Sequence, residues 1–476
     1  MAETLSFPEP HDVVRQKPSL RKYLRYLLFF GPGAILASMT IGQGQLILGP
    51  QIGAWAGYAL LWIITLNIGS YAVAYVGTRF TMLSGISTMD MFAMKTRGGW
   101  INWLIIAIMA VFVPTFAAAI ITTLGHSLAW IFGVGHYLIW GIGFSVFAAI
   151  LALLGRYKVL EVSQAFFVAV LGIGAVASVA VLRPDFLEIL PNFAFIGNVP
   201  DYPAWVDTVP DFTKTPIPLS MLGYLGTLTI SIVPLVGYLG WIKVKRWGIF
   251  RGSADPDGLS ERLFARYRRD GAIDYLPDDS EETNKSRLLL RPLMVDLIVA
   301  FAIVSLVSAA YMIAGADRLG RSIPTDVDLL KRQAVIFSDM AAWLEPLYQL
   351  SVAFALFGTV YSAFEAASRM LFEVGKTVRA GIGKLPYKRF MLYFLIYVLA
   401  LGIPLALLMY GGLSVLLVLS ITLLFIGVIG VVIYGAGAIY LSQTVLPRRY
   451  QLGALGMGLA VFCLELLLLP AIFFFI

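Results

Sequence analysis

The chain has 476 residues, 59% of them hydrophobic and only 13% charged, which excludes a soluble globular domain and points to a polytopic membrane protein. The formal net charge of +7 calls for no nucleic-acid partner, because excess Lys and Arg in such a chain set its orientation in the bilayer. A single cysteine, Cys463, rules out an internal disulfide, and three scattered histidines (His11, His126, His136) supply no metal cluster.

Residues 1–28 form a basic N-terminal segment with Arg15, Lys17, Arg21, Lys22 and Arg25 and no signal-peptide pattern. Apolar runs of membrane-spanning length predict eleven helices, at 29–53, 57–79, 101–124, 128–154, 159–182, 217–242, 292–314, 343–372, 389–409, 413–441 and 451–474. Alternate connections are basic: Lys95 and Arg97; Arg156 and Lys158; Lys243, Lys245, Arg246 and Arg251; Lys376, Arg379, Lys384, Lys388 and Arg389; Arg448 and Arg449. The connections between them are short and uncharged, or mixed. The loop 183–216 carries Asp185, Glu188, Asp201, Asp207 and Asp211, and 315–342 sets Arg318, Arg321, Lys331 and Arg332 beside Asp317, Asp326, Asp328 and Asp339. The positive-inside rule then predicts a multi-pass protein of the inner or plasma membrane, its N-terminus cytoplasmic and its C-terminus outside.

The long connection 243–291 contains "LSERLFARYRRDG". Ser260 reads as a helix cap, followed by Leu263, Phe264 and Tyr267 among Arg262, Arg266, Arg268 and Arg269. That pattern predicts a short basic helix on the anionic inner leaflet, or a solvated charge run.

Two spans are interrupted. The first has "IGQGQ" at its centre, with Gly42, Gln43, Gly44 and Gln45; the sixth has Pro234 followed by Gly237 and Gly240. Glycine and proline weaken the helical ladder, and unwound backbone survives in a membrane only where it lines a cavity or is buried in protein. Interruptions at matching positions of two five-helix halves predict inverted repeats with a binding site at the midplane.

Among intramembrane charges, Glu365 and Arg369 stand four residues apart on the eighth span, with Glu373 and Lys376 continuing the row. They read as a structural or gating ion-pair row, with proton passage as the alternative. Asp296 reads as an interfacial partner of Arg291, and Glu161 as structural. No nucleophile–base set or phosphate loop appears, so no enzyme and no cofactor is expected.

The chain resembles the Nramp family of proton-coupled divalent-metal transporters. The resemblance rests on Gly31-Pro32-Gly33 running without a gap to Gly57-Tyr58 and Leu60-Leu61-Trp62, on Gly155-Arg156-Tyr157-Lys158 through Glu161, on Pro234 with Tyr238 and Leu239, and on Val418-Leu419-Ser420. It implies an all-α integral membrane protein of the LeuT-type fold, with inverted repeats at 29–182 and 217–441 and an eleventh helix at 451–476.

The family's metal chemistry does not carry over. Its Asp-Pro-Gly-Asn break falls on Gly42, Gln43, Gly44 and Gln45, and its Met-Pro-His falls on Val233, Pro234 and Leu235. Its second histidine falls on Gly240, a tenth-helix glutamine on Ile421, and third-helix acids on Phe116 and Ala119. A dehydrated divalent cation needs several ligands and usually carboxylate charge, so a metal site is not expected. The candidate substrate-binding residues are Gly42, Gln43, Gly44, Gln45, Ile230, Val233, Pro234, Leu235, Gly237 and Ile421. Amides, hydroxyls such as Thr40, Thr229 and Ser231, and half-helix ends suit a small polar or zwitterionic solute. The alternatives are low-affinity transport of a hydrated metal ion and a non-transporting sensor or scaffold. The partners expected are a small-molecule or ion substrate and the lipid bilayer; a protein partner is unknown.

Overall fold

The computed structural model describes residues 5–155, 157–208, 215–319, 328–338 and 341–475. Arg156, Asp211, Arg321, Asp326 and Asp339 lie outside the described residues, as do the side chains of Gln43, Lys158, Glu161, Asp328 and Arg332.

All eleven apolar runs are helical. The first is two half-helices, α1a (Pro32–Thr40) and α1b (Gln43–Ala56), and α2 is kinked between Trp62–Leu66 and Ile68–Ser84. Then come α3 (Trp100–Phe132), α4 (Tyr137–Leu154) and α5 (Tyr157–Leu182). The sixth is again two halves, α6a (Ile217–Leu228) and α6b (Ile232–Lys245). They are followed by α7 (Arg291–Arg318), α8 (Leu344–Val378) and α9 (Tyr387–Tyr410). The last two are α10 (Val415–Leu423, continuing through Leu424–Ile429 to Gly430–Thr444) and α11 (Ala454–Leu466 with Leu469–Phe474). Among the described residues eight helices are, taken singly, long and apolar enough to cross a membrane. Residues 128–132, expected to open the fourth span, instead complete α3, which ends on Gly133 at φ 67°, where a side chain would be strained.

Burial sorts the bundle into an interior and a rim. The most apolar stretch of α6 is 89% buried and that of α8 78%, against 33% for α4 and α9 and 17% for α11. The rim helices therefore turn apolar surface outward to lipid, while α1, α6 and α8 meet inside.

Close backbone approach holds the interior together, since lipid offers no hydrophobic drive for helix association. A Cβ built on Gly53 of α1b would lie 2.0 Å from the Met312 carbonyl oxygen of α7, and one on Gly315 would lie 2.2 Å from that of Pro50. Neither carbonyl can yield as a flexible side chain would. Gly53→Ala is expected to cost about 1–3 kcal/mol by overpacking, read as a lower melting temperature in detergent; an unchanged melting temperature would refute this packing.

The long connection folds back onto the bundle. Its helix Pro256–Asp270 is capped by Asp255, whose Oδ1 accepts from the Gly258 amide at 2.9 Å, rather than by Ser260, which is buried within it. Leu263 and Tyr267 are buried, with Leu263 against Gly85 after α2. The apolar stripe expected to meet lipid thus packs on protein, because the loop is long enough to return to the ends of α2 and α6.

Candidate substrate cavity and its vestibule

The two breaks are narrower than the sequence predicts. In the first span only Ile41 and Gly42 leave the helix, while Gln43, Gly44 and Gln45 form the first turn of α1b. In the sixth span Thr229, Ile230 and Ser231 are unwound, and Pro234 is the third residue of α6b. First-turn amides have no partner within the helix, so proline there removes no hydrogen bond.

Buried break residues are satisfied by neighbouring helices, as a membrane interior demands. The Ile230 amide donates to Ser70 Oγ of α2 at 3.2 Å, and Thr229 Oγ1 donates to the Gly427 carbonyl of α10 at 2.7 Å. Gly427 lies in a π-helical turn, Leu424–Ile429, where one extra residue opens the ladder. That turn abuts α6a closely: a Cβ on Gly427 would sit 2.4 Å from the Gly226 carbonyl oxygen.

The four half-helix ends converge on a small cavity of about 80 Å³. Met39 and Thr40 come from α1a, Gly44 from α1b, Gly226 and Thr227 from α6a, and Ser231, Val233 and Pro234 from the start of α6b. Val113 and Phe116 of α3, Thr359, Ala363 and Ala367 of α8, and Leu423 and Ile426 of α10 complete the wall, with Thr229 at the break. Of the sequence-derived candidates, Gly44, Val233 and Pro234 line this cavity. Gly42 packs on Thr359, while Ile230 and Leu235 are buried outside the lining. Ile421 also stands outside it, and Leu423 and Ile426 line it from α10 instead. Gln45 is fully buried beside the cavity: its Nε2 donates to Thr227 Oγ1 at 3.2 Å, and its Oε1 has no hydrogen-bond partner among the described residues.

The hydroxyls have a fixed polarity. Thr40, Thr227, Thr229 and Thr359 each spend their one proton on a backbone carbonyl, at 2.8, 2.7, 2.7 and 2.8 Å. Only lone pairs remain to face a solute. Donors come instead from the open amides of the first turns of α1b and α6b, which carry the positive ends of two helix dipoles. No carboxylate, imidazole or thiol lines the cavity, and among the described residues no three His, Cys, Asp or Glu are placed to hold a metal. Met39 contributes a thioether, a residue for which the sequence offered no signal.

Met39 also belongs to a second, larger space, a vestibule of about 750 Å³ opening on the side that carries residues 243–291. Its walls include Ile35 of α1a, Gly237 and Gly240 of α6b, and both Glu365 and Arg369 of α8. Glu365 and Arg369 pair at 3.4 Å, and Glu373 and Lys376 at 2.5 Å. Asp90, on the loop helix Thr88–Lys95, also faces this space; burial pushes its carboxyl up to about 6, against the opposing pull of Lys376 and Lys243.

On the opposite side one residue ties α1b to α8. Gln333, on the loop helix Asp328–Ser338, donates from Nε2 to the Leu46 carbonyl of α1b at 2.6 Å, and its Oε1 accepts from Tyr348 of α8 at 3.3 Å. Asp296, expected at the interface with Arg291, is fully buried: Oδ1 accepts from the Gly31 amide at 2.8 Å, and Oδ2 from the Gly33 amide at 2.7 Å and Tyr238 Oη at 2.6 Å.

Two broken helices whose ends enclose one cavity, with a vestibule beside it that shares Met39 in its wall, define a LeuT-type membrane transporter. The comparisons with known proteins agree on that class. A variant of the Eremococcus coleocola manganese transporter matches with a TM-score of 0.62 at 15% identity, over 99% of this chain and 89% of that one. MhsT in complex with L-phenylalanine matches with a TM-score of 0.52 at 16% identity, over 93% and 97% of the two chains. Mhp1, a nucleobase-cation-symport-1 family transporter with bromovinylhydantoin bound, matches with a TM-score of 0.52 at 11% identity, over 93% and 89%. No curated relative matches the chain. The model of the family described as natural resistance-associated macrophage protein-like, Nramp, matches residues 33–469. The chain belongs to the Nramp family, as an integral membrane transporter.

Proposed function

We propose that this transporter carries a small, uncharged polar or zwitterionic solute through the cavity between α1 and α6, rather than a transition-metal ion. One observation supports this most directly: the cavity offers hydroxyl lone pairs and first-turn amides, with no carboxylate in its lining. Two positive charges among neutral ligands in a low-dielectric site carry a desolvation cost that nothing there offsets. A solute that both donates and accepts hydrogen bonds meets groups of both kinds. The basic connections orient the chain with its N-terminus in the cytoplasm, so the vestibule opens inward. Glu365 and Arg369 then form an ion-paired wall along the route.

The test is calorimetric titration of the purified protein with manganese and magnesium. No saturable binding in the micromolar range is expected, and such binding would overturn the proposal. Flux into proteoliposomes across a panel of amino acids, amides and polyols is expected to identify at least one carried solute, with Gln45→Leu reducing it. A second reading, low-affinity passage of a hydrated cation, draws on the Met39 thioether and the Asp90 carboxylate along one path. It predicts millimolar, hydration-dependent metal flux and no flux of any organic solute.

A further inference from the structure

We propose that Asp296 is a positioning residue of the transport cycle: it fastens the two vestibule-lining half-helices, α1a and α6b, to α7 and holds them back from the vestibule. The inference does not depend on which solute is carried.

The geometry is specific. Asp296 stands near the start of α7 and is fully buried. One oxygen takes the Gly31 amide at the cap of α1a, and the other takes the Gly33 amide in its first turn together with the Tyr238 phenol of α6b. A carboxylate suits this place because it is acceptor-only and has lone pairs for all three donors. Its charge also faces the positive end of the α1a dipole. The approach is so close that a Cβ on Gly33 would stand 2.7 Å from the Asp296 carbonyl oxygen and 2.9 Å from its Oδ1. Gly31 lies equally near Lys245 of α6b, whose Nζ would be 3.5 Å from a Cβ there. The three-residue sequence Gly31-Pro32-Gly33 is thus a socket: Gly33 makes room for the carboxylate, Gly31 for Lys245, and the proline between them has no amide to leave unpaired.

The two half-helices gathered by this side chain form one face of the vestibule, through Ile35 and Met39 of α1a and Val236, Gly237 and Gly240 of α6b. Each has lost the helical hydrogen-bond ladder that would join it rigidly to its other half. Their position therefore depends on side contacts, and three of those pass through one carboxylate. Alanine at 296 removes both acceptor oxygens, so it releases α1a and α6b together. Phenylalanine at 238 removes only the α6b bond.

Hydrogen exchange on the full-length protein in lipid nanodiscs tests the idea. In Asp296→Ala, exchange is expected to rise at least tenfold over α1a and α6b and to change less than twofold over α1b and α6a. In Tyr238→Phe the rise is expected in α6b alone. A second measurement reads position rather than mobility: Ser362→Cys, deep in the vestibule on α8, in a Cys463→Ser background. Its labelling by a small methanethiosulfonate is expected to slow at least fivefold with Asp296→Ala, as the released halves close across the space. Uniformly raised exchange in Asp296→Ala, or exchange unchanged in both variants, would overturn the proposal, as would labelling that stays constant or quickens.

Discussion

Placing aspartate at Gly42, where the Nramp family keeps a metal-binding carboxylate, is expected to lower the melting temperature and to create no manganese site. The reason lies across the cavity wall. A Cβ on Gly42 would stand 2.3 Å from Thr359 Oγ1 and 3.3 Å from its Cγ2. Thr359 cannot swing aside freely, because its hydroxyl is bonded to the Ala355 carbonyl at 2.8 Å and the residue is buried in α8. Overpacking of this kind costs about 1–3 kcal/mol, and a buried carboxylate without a cation adds a desolvation penalty. Trimming the obstacle is expected to reverse the first cost: Gly42→Asp with Thr359→Ala recovers most of the lost stability. Only when Val233→Met is added is saturable manganese binding expected by calorimetry, since carboxylate and thioether then face one space. Gly42→Asp alone folding at wild-type stability, or binding manganese by itself, would show that position 42 is still open to a ligand. The departure from the family is therefore more than a missing side chain. Its room is occupied.

That occupied room marks the boundary of what the sequence made legible. The eleven helices were readable because apolar run length is a one-dimensional property, and the two interruptions because glycine and proline leave local marks. The exact extent of each break was not readable. Pro234 reads as a disruption, yet in the first turn of α6b it costs no bond; Gln43 and Gln45 read as unwound, yet they open α1b. Ile421 was placed by its likeness to a family glutamine, yet Leu423 and Ile426 are the α10 residues that line the cavity. Thr359 gave no signal at all, since a threonine bonded to the carbonyl four residues back looks like any other helical residue. Asp296 was visible as a charge but not as a fastening, because its donors lie 265 and 263 residues away in sequence. Apolar patterning thus carried the bundle, while the cavity's chemistry came from tertiary neighbours.

Met39→Trp is expected to sever the cavity from the vestibule while leaving the fold intact. Met39 belongs to the lining of both spaces, and it is only partly buried, so a larger side chain can extend into open volume instead of into the packed core. The cavity holds only about 80 Å³, against about 750 Å³ for the vestibule, so bulk at their junction weighs most on the smaller side. On the far side, Gln45 is bonded to Thr227 and Gln333 to the Leu46 carbonyl. Passage can be read without knowing the solute. Ser231→Cys places a thiol in the cavity wall, and Cys463→Ser removes the native one. Labelling of that thiol by a small methanethiosulfonate is expected to slow at least tenfold in Met39→Trp and to quicken in Met39→Ala, with melting temperatures close to the parent. If Met39→Trp leaves labelling unchanged, the junction lies elsewhere. If labelling slows and flux of every carried solute falls with it, Met39 is the point through which anything bound between α1 and α6 must leave.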